Sequence, residues 1–244
     1  MRTAVTLALG TVIGLSLAAP ALGESRTFDL NGFDRIDIAT GLDAVVKLGE
    51  EFSVTATSGS PQALENLQIE VRDGVLMARF DQSFLDFIIS GGLVGMLLSN
   101  GNALTIDVTL PALAGIEASS GADVRTAELT SGELDLRASS GANIEVTDAT
   151  LGAVRAESSS GADIDISGTA DSMEADASSG ADIDAEKLVA STAAANASSG
   201  AGVSVHATES IKAEASSGGD IDVSGNPTKR DVDASSGGDV SFDD

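Results

Sequence analysis

Carboxylates are the most abundant groups in this sequence that could do chemistry. Asp163-Ile164-Asp165, Asp182-Ile183-Asp184 and Asp220-Ile221-Asp222 repeat one acidic pattern, and a strand places both carboxylates of each triplet on one face. Stacked about 4.8 Å apart, like charges repel by roughly 1 kcal/mol even in a water-like dielectric, and a hard cation such as Ca²⁺ relieves that repulsion. These six aspartates are therefore the metal candidates, with a diffuse counterion layer as the alternative. The Gly-Gly-x-Gly-x-Asp unit of a calcium β-roll is absent. Paired carboxylates also hydrolyse glycosides, so an Asp-based carbohydrate-active enzyme is a competing reading. A catalytic pair, however, is a singular cluster, and an aspartate recurring in every repeat marks a ladder.

Other chemistry is scarce. Without Cys there is no disulfide, thiolate metal site or thiol nucleophile. His206 is the only histidine and is expected just after a strand, as a surface residue. The serines have no neighbouring base to activate them. No Trp or Tyr is present to stack on a sugar. Arg125, Arg137 and Arg155 fall within two repeats and could form a small basic patch, although charge balance on an outer face explains them. With 38 Asp and Glu against 13 Lys and Arg, the net charge is −25, which excludes nucleic acid as a partner because binding it requires clustered cations. No catalytic or cofactor-binding residue is assigned, and the chain is expected not to be an enzyme.

The elements that carry these residues are repeats. Ser-Ser-Gly recurs with its glycine at Gly121, Gly141, Gly161, Gly180, Gly200, Gly218 and Gly237. Three residues after each glycine stand Val124, Ile144, Ile164, Ile183, Val203, Ile221 and Val240; five before stand Ile116, Leu136, Ala156, Ala175, Ala195, Ala213 and Val232. Odd offsets are small or apolar and even offsets polar, the period-two signature of half-buried strands. Constant repeat length and like residues down each column favour a stacked coil over a meander. The fold class is all-β: a single-stranded parallel β-helix, a two-sheet solenoid of about 20-residue coils with Ser-Ser-Gly turns. Seven coils at about 4.8 Å each span roughly 34 Å.

Residues 1–23 read as a secretory signal peptide: Arg2, an apolar run from Ala4 to Ala19, then Pro20, Ala21 and Gly23. The mature chain is expected to be exported, periplasmic or at the cell surface or secreted, with no membrane span. Residues 24–113 form an N-terminal β region and cap, with six of the seven Phe and a short helix at Pro61–Leu67 capped by Ser60. Residues 114–244 hold the repeats, closed by Phe242.

Phe33-Asp34-Arg35-Ile36-Asp37-Ile38, the Leu64-to-Leu67 helix, Gly74-Val75-Leu76 and Leu110-Pro111-Ala112-Leu113, followed by the serine-glycine repeats, resemble the head GIN domain family of putative autotransporter adhesins. The resemblance covers nearly the whole mature chain. It implies an exported two-sheet β-superhelix with Gly-Ser turns, similar to pectin-lyase-like folds without their catalytic residues, and a role in cell adhesion or envelope scaffolding. One departure is the apolar segment 84–98. It is expected to be a buried cap or hairpin, or else a contact for self-association or for an unknown protein or glycan surface through Phe84, Phe87, Ile88, Leu93 and Leu97.

Overall fold

The computed structural model describes residues 24–81 and 104–243. The expected signal peptide and the contact residues Phe84, Phe87, Ile88, Leu93 and Leu97 lie outside the described residues. Strands dominate: β1 (Glu24–Phe28), β2 (Arg35–Ala39), β3 (Asp43–Leu48), β4 (Ser53–Ser58), β5 (Leu67–Arg72), β6 (Val75–Phe80), β7 (Thr105–Leu110), β8 (Gly115–Ser119) and β9 (Asp123–Ala127). They are followed by β10 (Thr130–Ser139), β11 (Asn143–Ser159), β12 (Asp163–Ser178), β13 (Asp182–Ser198), β14 (Gly202–Ser216), β15 (Asp220–Ser224), β16 (Lys229–Ala234) and β17 (Asp239–Phe242). One helix, α1 (Pro61–Glu65), joins β4 to β5.

The chain winds as a parallel β-solenoid, and the seven Ser-Ser-Gly turns mark off about six complete turns. Ile164 pairs with Ile183 in parallel register, and both are 1 % exposed. The aliphatic columns read from the sequence thus stack directly upon one another inside. One outer face consists of strands leading into the glycine turns, the other of strands leaving them. Strands β11 to β14 run 15–17 residues, so each contributes to both faces. The sequence pattern implied two strands per coil. The hydrogen-bond ladder instead continues round the corner opposite Ser-Ser-Gly, with register shifts such as that between Asp165 and Gly168.

Each Ser-Ser-Gly corner is a tight turn whose two central residues both have positive φ. Ser120 (φ 55°) and Gly121 (φ 74°) lie between Ser119, whose carbonyl accepts, and Ala122, whose N–H donates at 3.3 Å. The pattern is that of a type I′ turn. Successive turns are tied along the stack, as where Gly121 N–H donates to Ser140 O at 3.1 Å. Glycine meets this geometry without steric cost; the serine before it does not, and it adopts φ between 52° and 59° in all seven copies. Where Ser158 replaces alanine in an inward column, its hydroxyl donates to Ala162 O at 2.7 Å, which satisfies a buried polar group.

The N-terminal region does not follow chain order. Strands β2 and β3 form a coil of their own, turning through Thr40 and Gly41 (φ 64° and 68°). This eighth copy of the turn escapes a search for Ser-Ser-Gly because it reads Ala39-Thr40-Gly41. That coil lies between β8–β9 on one side and β6–β7 on the other, with all four pairings parallel. Beyond it the direction reverses: β5 runs antiparallel to β6, β4 to β7, and β1 to β4. Strand β7 therefore sits between β3 and β4, which are joined by only a short link. Gly49 carries that link over the end of β7. Its N–H donates to Leu110 O at 3.0 Å, and a Cβ there would come within 2.6 Å of Thr109 Cγ2.

Helix α1 closes this end of the core with buried Ala63 and Leu64, and the Phe33 and Phe52 rings pack 4.9 Å apart. The Ser60 side chain does not cap the helix as the sequence implied. Its hydroxyl bonds Gln62 Oε1 at 3.2 Å, and its N–H donates to Ser58 Oγ at 3.1 Å.

Candidate interaction surface

The side chains that project outward line up in ladders, and the two faces differ in how their charges pair. On the face leaving the turns, one column runs Asp43, Asp123, Asn143, Asp163, Asp182, Gly202, Asp220 and Asp239. The next contains Arg125, Glu145, Asp165, Asp184, Ser204 and Asp222. Neighbouring carboxylates resist ionisation. Asp163 is raised above its ordinary value by partial desolvation and then by the charge of Asp182. Asp165 is raised by desolvation and by Asp184, Glu145 and Asp163, with Lys187 opposing. Asp43 is raised by desolvation and by Asp123, against Arg125.

The six metal candidates do not converge. Asp163 and Asp165 stack on Asp182 and Asp184, but the coil bearing Gly202 and Ser204 separates those from Asp220 and Asp222. Within the gap Gly202 N–H donates to Asp182 Oδ1 at 3.0 Å, and on the far side Ser241 of β17 bonds Asp222. Among the described residues there is no group of three or more His, Asp or Glu arranged to hold a metal ion.

The face leading into the turns is also acidic on balance, but its arginines tie neighbouring coils together through ion pairs. Arg35 reaches Asp135 at 3.1 Å, and Arg137 bridges Asp135 (3.5 Å) and Glu157 (3.6 Å). Arg155 meets Glu157 and Glu174, both at 2.7 Å, and Asp176 at 3.4 Å. Asn196 then donates to Asp176 at 2.7 Å. Bonds to Glu157 and Glu174 hold the Arg155 guanidinium still more firmly protonated than usual. Arg125 is not part of this row; it lies on the other face, paired with Glu145 at 3.2 Å. The three arginines grouped by sequence therefore divide between two faces, because Arg125 follows a turn while Arg137 and Arg155 precede one.

His206 also departs from expectation. It lies within β14, half-buried, with Nδ1 3.0 Å from Ser224 Oγ. Sequence alternation had ended its strand one residue too early, because the ladder continues through the corner.

Shallow depressions cross these ladders. One is lined by Val45, Lys47, Arg125, Glu128 and Glu145, another by Arg35, Asp135, Arg155, Met173 and Ala194. Both open broadly onto the flat faces.

The fold is shared with solved structures. A putative adhesin from Bacteroides fragilis is 22% identical, with a TM-score of 0.78 over 90% of this chain and 96% of that one. A putative lipid binding protein from Parabacteroides distasonis is 17% identical, with a TM-score of 0.68 over 92% and 98%. A putative adhesin from Parabacteroides merdae is 15% identical, with a TM-score of 0.66 over 92% and 97%. No curated protein matches the sequence. The family model described as putative auto-transporter adhesin, head GIN domain, matches residues 32–227, and the chain belongs to that family.

Proposed function

We propose that this protein is an exported, non-enzymatic β-solenoid that acts as an adhesion or envelope-scaffold module. The observation that carries the reading is the pair of flat, laddered outer faces, one lined with acidic columns and the other laced with ion pairs, on a chain of an adhesin head-domain family. A rigid ladder displays like groups at regular spacing, which suits contact over an extended surface. The leader-like residues 1–23 support export, and among the described residues no helix is long and apolar enough to cross a membrane.

Phe84, Phe87, Ile88, Leu93 and Leu97 are the proposed partner contact. They belong to the stretch joining β6 to β7, where every other coil turns the same corner through a Ser-Gly or Thr-Gly pair. Two measurements test the reading. Protease applied to intact cells should cleave the protein, and the purified chain should bind cell or glycan surfaces. Replacing residues 82–103 with a Ser-Gly turn should reduce that binding while leaving the melting temperature intact. Retention inside the cytoplasm, or no binding to any surface tested, would refute the proposal.

A further inference from the structure

The end of the solenoid at β16 and β17 differs from the end at α1. Among the described residues, no strand pairs with the outer edge of either β16 or β17. Val232 belongs to an inward column whose other members (Ile36, Ile116, Leu136, Ala156, Ala175, Ala195 and Ala213) are 0–2 % exposed, yet it is 43 % exposed. Core-facing surface is therefore open at this end, on edges whose backbone groups can accept another strand.

One residue interrupts the apolar pattern. Two positions before Val232, the inward column runs Leu134, Val154, Met173, Ala193 and Ile211, all buried, and then reaches Arg230, which pairs with Ile211. Arg230 is the single charge in that column. Its guanidinium lies 4.2 Å from the centre of the Phe242 ring, a cation–π contact. Nη2 donates to Asn226 Oδ1 at 2.7 Å and Nε to Pro227 O at 3.1 Å. Three contacts hold a charged group over the open core, where the aliphatic residue of a further coil would otherwise stack. Charges pointing inward at an edge are a known means of preventing edge-to-edge association.

We propose that Arg230, seated on Phe242, is a stopper that prevents a second copy of this chain from extending the sheets end to end. A second copy is the occupant to exclude because it presents the same two strands at the same separation. Related by a two-fold axis normal to the faces, both sheets continue antiparallel across the junction, with Val232 facing Val232 of the other copy.

The test is sedimentation velocity over a wide concentration range, at enough salt to screen the net charge. Wild type should remain a monomer. Arg230→Leu, which restores the column's residue type, should keep its circular dichroism spectrum yet at least double in mass as concentration rises. Adding Val232→Lys to that variant should return it to monomer. Arg230→Lys, which keeps the charge, should stay monomeric. Lys229→Leu adds the same side chain outside the column and should also stay monomeric. A folded Arg230→Leu that remains monomeric would overturn the proposal, as would a wild type already joined through β16 or assembly by Lys229→Leu to the same extent.

Discussion

Arg35 Nη1 lies 3.1 Å from Asp135 Oδ2, although the two residues are 100 positions apart and the strand between them contributes only Gly115. The glycine leaves the path open: a Cβ there would come within 2.8 Å of Arg35 Nη1. This contact is a direct reporter of the N-terminal coil inserted between β6 and β8.

A double-mutant cycle on Arg35→Ala and Asp135→Ala should therefore give a coupling of about 0.2–1 kcal/mol, the range for half-exposed ion pairs. The coupling should fall with added salt. A coupling indistinguishable from zero in low salt would mean that β2 is not seated where the structure has it.

The second serine of each turn holds positive φ, a conformation that costs an ordinary residue about 1–2 kcal/mol. Asn tolerates it better, and Asn-Gly is the preferred pair in this type of turn. Ser179→Asn should raise stability by about 0.5 kcal/mol and Ser179→Val should lower it by about 1–2 kcal/mol, as read by chemical denaturation. The opposite ranking would contradict the turn geometry.

The acidic ladder makes stability depend on pH with a definite sign. Asp163 and Asp165 hold protons more tightly folded than unfolded, where the ordinary value is 3.8. Above that value the folded state binds more protons, so the contribution of these groups to stability falls as pH rises through their folded values. Replacing both with Asn should raise the melting temperature at pH 7, corresponding to about 0.2–1 kcal/mol, and flatten the thermal profile in the acidic range above the ordinary value of 3.8. An unchanged profile would show that the two carboxylates do not feel their neighbours.

Gly168 stands at the corner opposite the serine turns, with φ 129°. A Cβ there would meet the Ala149 backbone, with its carbonyl oxygen only 2.0 Å away. Gly168→Ala should destabilise by about 2–4 kcal/mol, whereas Gly132→Ala, where nothing lies within 4 Å, should be tolerated. Similar losses at both sites would argue against the tight corner.

Much of this architecture is legible because stacking converts chemical similarity into contact. Ile164 over Ile183, and the Ala column from Ala156 to Ala213, can be read from residue spacing alone. The second corner is less legible because its residues follow no shared pattern: Glu128, Asp148 and Gly168 all take positive φ there. The order of the N-terminal strands was hidden for another reason. Alternation in Arg35–Ala39 specifies an inward face but not which strand lies alongside, and here both partners come much later in sequence. Arg230 could have been found by extending the column of Ile211 one coil further, where an aliphatic type gives way to a charge. The division of the arginines between faces needed only their placement before or after a turn.

The inserted coil also fixes an order of events during synthesis. Strands β2 and β3 take their parallel partners from β6–β7 and β8–β9, so the first coil gains its first parallel neighbour only with residues 75–110 and is covered on both sides only once residues up to 127 have emerged. Later coils each find a finished platform already waiting. A ribosome pause near the start of the repeats would thus leave one edge of that coil uncovered, whereas a pause among the later coils would leave a shorter rod that is already assembled.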